Sequence, residues 1–194
     1  MKAMQIVGFD GPASGLRYQE ASTPEPGPGQ IAVDVDHAGV GYVEALFTEG
    51  LVPIDLPWTP GLEVSGRVRA LGDGVDGYRV GDAVVALTIT GGGGYGQVTV
   101  APAELVAPLP AGLDPVLAAA VPANSTTALV ALEEIAHLRR GESVLVHAAA
   151  GGFGSQMGQM ARLLGASRVV GVTRSEAKRQ EILDLGYDEA WLTE

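Results

Sequence analysis

A glycine-rich run between residues 147 and 158 is the part of the sequence best suited to bind a ligand. It reads HAAAGGFGSQMG and follows a short apolar segment. Small residues in such a turn let a phosphate approach backbone N–H groups at the positive end of the next helix. The alternative is a tight turn without a ligand. We predict a pyrophosphate site formed by Ala150, Gly151, Gly152, Phe153 and Gly154.

A second group of polar residues follows the next apolar segment, about where an NAD-binding fold carries an acid. Residues 172–178 read VTRSEAK. Two cations, a hydroxyl and a helix N-terminus suit a ribose 2′-phosphate, so this segment predicts NADPH rather than NADH. Two alternatives are that Glu176 neutralises one cation and that the cations are ordinary helix charges; Arg179 is predicted to be a solvated surface charge. The predicted ligands are Thr173, Arg174, Ser175 and Lys178.

The elements that must position these residues alternate between strand and helix after residue 110. Strands are predicted over residues 143–147, 168–172 and 189–192, and helices over 114–120, 124–137, 152–164 and 175–185. Asp114 and Asn124 stand where helix N-caps are expected. The alternation predicts an α/β unit with a parallel sheet and right-handed crossovers.

The first hundred residues have a different texture, with short β-rich runs between glycine and proline turns. The runs are Ile6–Phe9, Ile31–Val35, Val64–Val68, Ala83–Leu87 and Gln97–Val100. This spacing is typical of a β-barrel or a β-sandwich. The change of texture predicts a domain boundary near residue 115.

Composition limits the class of partner. The chain has 12 basic and 23 acidic residues and a formal net charge of −11, which repels nucleic acid and anionic membranes and favours a small-molecule partner. It has no cysteine, which rules out disulfides and thiolate metal sites. Its apolar runs are shorter than the roughly 20 residues of a membrane span, and its start lacks the pattern of a secretory signal, so we expect a cytoplasmic location.

Several motifs together resemble the medium-chain dehydrogenase/reductase superfamily, specifically its quinone oxidoreductase branch. They are AGVGYVE at 38–44, PGLEVSG at 60–66, VGDAV at 80–84, GYGQ at 94–97 and AAAGGFG at 148–154. The resemblance implies a GroES-like β-barrel catalytic domain over residues 1–114. It also implies the first part of a Rossmann NADP(H)-binding domain over residues 115–194, with the nicotinamide between the two.

The resemblance implies zinc-independent transfer of a hydride from NADPH to a quinone or to an α,β-unsaturated carbonyl (an enone). Zinc members carry a histidine where this chain has Leu62, and a cysteine near the 38–44 motif. His37, His137 and His147 lack close ligand spacing, so we expect no metal site. Glu63 in this family lies near the cleft, although an ion pair with a neighbouring strand explains it as well.

Three further site residues depend on the resemblance. Near residue 41 the family usually presents Asn, an aromatic residue and an acid, and this chain has Gly41, Tyr42 and Glu44. Tyr42 is the catalytic candidate, as a hydrogen-bond or proton donor to the substrate oxygen; the alternative is an aromatic wall of the cleft. Asn124 and Thr127 match the family segment beside the nicotinamide, and Thr127 is preferred because Asn124 also suits an N-cap.

Two other functions remain open at this point. One is an enoyl-thioester reductase of fatty acid or polyketide assembly, and the other is a catalytically silent fragment or binding module. A complete Rossmann sheet has six strands, of which the pattern predicts only the first half. We therefore expect a C-terminally incomplete chain that uses NADPH poorly by itself. Its strand at residues 143–147 would be an open edge, which favours pairing into a homo-oligomer.

Overall fold

The computed structural model describes residues 1–193, apart from the side chains of residues 12 and 13. The chain divides into two compact units, Met1–Ala123 (the front unit) and Asn124–Glu194 (the rear unit). This division falls later than the boundary predicted near residue 115. The segment after residue 114 packs with the strands of the front unit. There the Ser65 hydroxyl donates a 2.7 Å hydrogen bond to the carbonyl of Pro115.

The front unit is built on antiparallel strands, as its alternating sequence predicts. They are β1 (Lys2–Ile6), β2 (Leu16–Glu20), β3 (Gln30–Ala38), β4 (Glu63–Leu71), β5 (Ala83–Leu87), β6 (Val98–Pro102) and β7 (Val106–Pro108). One sheet has the order β6-β3-β4-β5-β7, and β1 pairs with β2. Side chains two residues apart share a face of a strand, and this places Ile31, Val33, Val64, Val68, Val84 and Ala86 in one core.

The beginning of the chain differs from its prediction. The first strand ends at Ile6 instead of continuing to Phe9, because the N–H of Val7 donates to the carbonyl of Gly15 at 2.8 Å and the chain turns. A short helix, α1 (Pro12–Gly15), follows. Strand β2 has no counterpart among the predicted elements, because its sequence, LRYQE, lacks an alternating apolar pattern.

The helices of the middle segment correct one prediction and confirm another. Helix α2 (Tyr42–Thr48) precedes α3 (Pro115–Ala118) and α4 (Pro122–Leu129), and α4 continues as a π-helix over Val130–Ile135. Asp114 caps α3 as predicted, since its carboxylate accepts from the N–H of Val116 at 2.9 Å. The N-cap role predicted for Asn124 is wrong. Helix α4 begins at Pro122, where proline is favoured because a first-turn residue needs no N–H.

The rear unit is the predicted α/β arrangement. Parallel strands β8 (Ser143–His147), β9 (Arg168–Thr173) and β10 (Glu189–Leu192) pair in the order β10-β9-β8, which is the order of the first half of a doubly wound sheet. Helices α5 (Gly152–Leu163) and α6 (Arg179–Asp184) cover one face of it, and a 3₁₀ turn, Glu176–Lys178, precedes α6. The core contains Val146, Ala161, Val169, Ile182 and Tyr187. Within residues 1–193, no helix is long and apolar enough to cross a membrane.

Candidate functional site

The glycine-rich run forms the turn between β8 and α5. Ala148 adopts a φ of 52°, and the N–H of Gly151 closes the turn on the Ala148 carbonyl at 2.8 Å. The N–H of Ala149 donates to the carbonyl of Val172 at 3.1 Å, which joins the turn to the end of β9. Gly151 is the N-cap of α5 and makes no side-chain capping bond. The first-turn N–H groups of α5 are therefore available to an anion.

Close packing explains two of the glycines in this run. A Cβ on Gly154 would collide with the Ala148 carbonyl and the Ala149 backbone, and a Cβ on Gly158 would collide with the ring of Tyr187. Gly152 is different, because its nearest neighbour would be the Asn124 side-chain amide at 3.5 Å, an ordinary contact. Neither packing nor a left-handed backbone therefore requires glycine at residue 152.

A cavity of about 470 Å³ lies at the carboxyl ends of β8 and β9. This is the edge of a parallel sheet at which ligands bind in open α/β folds. Its lining within the described chain is His147, Ala148, Ala150, Gly151, Val172, Thr173, Arg174, Ser175, Lys178 and Thr193. The structure thus brings together the two predicted halves of the nucleotide site, and His147 and Thr193 are additions that the sequence analysis missed.

Among residues 1–193, the charged groups of this cavity are of one sign. The lining in this part of the chain includes Arg174 and Lys178 and no carboxylate, and neither cation forms an ion pair with any of residues 1–193. Glu176, the acid suspected of neutralising them, instead pairs with Arg179 at 3.0 Å. Arg179 also donates to the carbonyl of Ala190 at 3.1 Å. It is exposed, so it is a surface charge, as predicted, with two partners in the chain.

The loop after β9 is fixed by short-range hydrogen bonds. The buried Thr173 hydroxyl accepts from the N–H of Ser175 at 3.1 Å, and the carbonyl of Ser175 accepts from the N–H of Lys178, also at 3.1 Å. The N–H of Thr193 donates to the carbonyl of Thr173 at 3.0 Å. These bonds set the path of the backbone that carries Arg174 and Lys178 at the cavity.

Five predicted nucleotide ligands lie outside the cavity lining, namely Asn124, Thr127, Gly152, Phe153 and Gly154. The Asn124 amide lies near Gly152, as described above. The adjacent Ser125 hydroxyl makes a 2.9 Å hydrogen bond to the side chain of Gln156, which joins α4 to α5. Thr127 is exposed on α4. Phe153 is 41% exposed in the first turn of α5.

In the front unit, the catalytic candidate lies in the first turn of α2. Tyr42 is the first residue of α2 and is 81% exposed. Glu44, two residues later, is buried, and its carboxylate accepts from the N–H of Gly41 at 3.0 Å. This bond is half of a capping box and fixes the start of the helix that bears Tyr42.

Glu63 makes no ion pair with a described residue, so the alternative explanation by an ion pair with a neighbouring strand is not found there. Its buried carboxylate accepts from the N–H of Ala123 at 2.8 Å. Burial raises the pKa of Glu63, the nearby Glu44 raises it further, and the Ala123 bond opposes both. The Tyr95 hydroxyl is buried with no hydrogen-bond partner in the described chain, and its pKa is also raised, first by burial and then by the two glutamates.

A metal-binding cluster is not found in the part of the chain that the structure describes. Over residues 1–193, no three His, Cys, Asp or Glu side chains are grouped so that they could hold a metal ion. Leu62 is itself buried in the front unit.

Comparison with known proteins agrees with this architecture. Residues 27–111 match the alcohol dehydrogenase GroES-like domain. Rat quinone oxidoreductase is 35% identical over 193 residues, which cover 98% of this chain and 58% of the relative. The mouse synaptic vesicle membrane protein VAT-1 homolog-like is 37% identical over 186 residues, which cover 95% of this chain and 44% of the relative. A mycobacterial protein solved in complex with NADPH superposes with a TM-score of 0.87 at 33% identity, over 98% of this chain and 58% of that one.

The front unit is GroES-like, and it is followed along the chain by a parallel α/β unit with a glycine turn. In these features the chain is similar to the medium-chain dehydrogenase/reductase superfamily. It spans about half the length of the curated relatives it matches, 44% of one and 58% of another.

Proposed function

We propose that the protein is a zinc-independent reductase that transfers a hydride from NADPH to a quinone or an α,β-unsaturated carbonyl. The observation that carries the cofactor assignment is the cavity, whose lining within residues 1–193 has Arg174 and Lys178 and no carboxylate. NAD-specific sites place an acid on the ribose diol, whereas a 2′-phosphate needs cations. In a chain with a net charge of −11, two unpaired cations at a sheet edge support recognition of an anion.

The turn supports binding of a pyrophosphate. Gly152 is the first residue of α5, and neither its packing nor its backbone angles require glycine there. Close approach of a phosphate to the backbone supplies a reason for glycine at this position. We infer that the backbone of Ala150, Gly151, Gly152, Phe153 and Gly154 holds the pyrophosphate and that Thr173 and Ser175 join the cations at the 2′-phosphate. Asn124 and Thr127 are proposed as further cofactor contacts on α4.

The proposed substrate residue is Tyr42. When bound, the nicotinamide supplies the hydride, so no protein nucleophile or metal is needed. The exposed phenol of Tyr42 donates a hydrogen bond or a proton to the substrate oxygen. The Glu44–Gly41 bond holds the helix start from which Tyr42 projects.

The test combines binding with turnover. The protein is titrated with NADPH and NADH, and oxidation of saturating NADPH is then followed with a simple quinone, an enone and an enoyl thioester, each with and without a chelator. Tighter binding of NADPH and oxidation by the quinone or the enone support the proposal. Oxidation by the enoyl thioester alone points to the carrier-linked reductase, and silence toward both nucleotides points to a binding module. For a chain of the relatives' full length, binding of NADPH without oxidation by any acceptor removes the reductase assignment; for the 194-residue chain, we expect poor use of NADPH.

A further inference from the structure

His147 belongs to the anion cavity, although its sequence spacing suggests only a strand-end residue. It is the last residue of β8, lies opposite Val172 in the parallel register and is exposed. It lines the same cavity as Arg174 and Lys178. The loop that carries both cations begins after Thr173, the residue that follows its register partner Val172.

The ring nitrogens of His147 have no hydrogen-bond partner among residues 1–193. His137, by contrast, has its Nδ1 at 3.1 Å from the carbonyl of Glu133. Among residues 1–193, the other charged groups of the His147 cavity, from the turn, the loop after β9 and the segment after β10, are Arg174 and Lys178. The nearby acid, Glu176, is occupied by Arg179. An unpaired imidazole beside two unpaired cations repels them when it is protonated, unless an anion lies between the three groups.

We propose that His147 is a third recognition group for the ribose 2′-phosphate and that it strengthens NADPH binding when its imidazole is protonated. The inference rests on the proposed function, because it takes the cavity to be the 2′-phosphate end of the cofactor site. A phosphomonoester offers three acceptor oxygens and nearly two negative charges. The guanidinium, the ammonium and the imidazolium each supply donors, so one phosphate can engage all three. Selection of NADPH over NADH then increases as the pH falls.

The affinity for a 2′-phosphate depends on pH for a second reason, the titration of the phosphate itself, and the experiment must separate this effect from that of His147. An imidazole gains its charge as the pH falls from 8 to 6, whereas a phosphomonoester begins to lose its second charge near pH 6. The second effect belongs to the ligand and is the same for any variant of the protein. The ratio of dissociation constants between a variant and the parent therefore isolates His147.

The test uses isothermal titration with 2′,5′-ADP, 5′-AMP and inorganic phosphate at pH 8 and pH 6, on the parent, His147→Gln and the matched control His37→Gln. His37 is an exposed histidine of β3 in the front unit. We expect His147→Gln to weaken 2′,5′-ADP binding little at pH 8 and about three-fold or more at pH 6, the scale of an exposed charge pair. Binding of 5′-AMP and the behaviour of His37→Gln should not change between the two pH values relative to the parent.

Two failures are distinguishable. If the parent prefers 2′,5′-ADP over 5′-AMP but the ratio for His147→Gln is the same at both pH values, the role of His147 is overturned and the cofactor assignment stands. If the parent shows no preference for 2′,5′-ADP, or binds neither nucleotide, both are overturned. Equal gains for inorganic phosphate and 2′,5′-ADP at pH 6 would mean that the cavity recognises free phosphate, which also overturns the assignment to the ribose 2′-phosphate.

Discussion

The phenol of Tyr187 donates a 2.5 Å hydrogen bond to the carbonyl of Gly154, and both residues are buried. The same ring lies where a Cβ on Gly158 would stand. One aromatic side chain thus fixes the glycine face of α5 against the sheet. Packing against Tyr187 therefore accounts for Gly154 and Gly158, whereas Gly151 lines the cavity.

Gly158→Ala should destabilise the fold. The added methyl collides with a buried ring that cannot turn away without breaking its bond to Gly154, and overpacking of this kind costs about 1–3 kcal/mol. Gly152→Ala is the matched control, since its methyl meets only the Asn124 amide, and we expect no loss of stability there. Urea denaturation measures both. Equal losses at the two sites would mean that packing requires both glycines.

Gly152→Ala should nevertheless weaken NADPH binding. Its methyl stands between the backbone and the proposed pyrophosphate, so at least one charge-assisted hydrogen bond is lost, worth roughly 1.5–3 kcal/mol, which is about ten-fold or more in affinity. NADH should lose as much, because the pyrophosphate is common to both nucleotides. Fluorescence titration with NADPH and NADH measures the affinity of the variant, and urea denaturation shows whether the variant is stably folded. Unchanged affinity in a stably folded variant would contradict a phosphate contact at the turn.

Arg174→Ala should weaken NADPH selectively. Because Arg174 is exposed, its hydrogen bond to the proposed 2′-phosphate contributes a free energy at the lower end of the range for charged groups. We therefore expect the affinity for NADPH to fall about ten-fold and the affinity for NADH to change little. Arg179→Ala is the control, since Arg179 is committed to Glu176 and Ala190; it should lower stability and leave the preference intact. A loss shared equally by the two nucleotides would remove the 2′-phosphate assignment.

The sequence predicts the rear unit well because its apolar strands alternate with helices, and the observed β8 and β10 match the predicted bounds. Prediction from the sequence fails where the spacing of apolar residues shows no clear period. Strand β2 is polar and half-exposed and gains its order from pairing with β1. Helix α2 has only seven residues. Arg174 and Lys178 could be found from their place after a strand, but the contribution of His147 depends on how the strand ends align, and the burial of Tyr95 between two carboxylates depends on tertiary packing.

Metal removal should leave any turnover unchanged. The position where zinc members of the family carry a histidine is the buried, apolar Leu62, and the chain has no cysteine, so the proposed hydride transfer has no zinc shell to depend on. Elemental analysis of purified protein should find no stoichiometric zinc, and NADPH oxidation should be the same before and after chelation. Zinc bound one to one and lost together with activity would contradict the zinc-independent mechanism.

Burial of Glu63 should make the folded protein less stable as the pH rises. Its folded-state pKa is raised, first by burial, so the carboxyl binds its proton more tightly in the folded protein than in the unfolded chain. Tighter proton binding stabilises the folded protein. This stabilisation is fully present below the pKa of Glu63 in the unfolded chain, and it is lost as the pH rises through the pKa of Glu63 in the folded protein. Glu63→Gln keeps an oxygen that can accept the Ala123 N–H and removes the charge. We therefore expect its free energy of unfolding to match the parent near pH 4 and to exceed the parent's at pH 8.

Glu63→Ala separates the hydrogen bond from the charge. It removes the acceptor of the Ala123 N–H, and an unsatisfied buried donor costs about 1–3 kcal/mol, so this variant should be less stable than Glu63→Gln at every pH. Urea denaturation of the parent and both variants between pH 4 and pH 8 gives the comparison. If Glu63→Gln tracked the parent at all pH values, the raised pKa of Glu63 would be wrong. If Glu63→Ala matched Glu63→Gln, the Ala123 bond would contribute nothing and the carboxylate would serve no role at the start of α4.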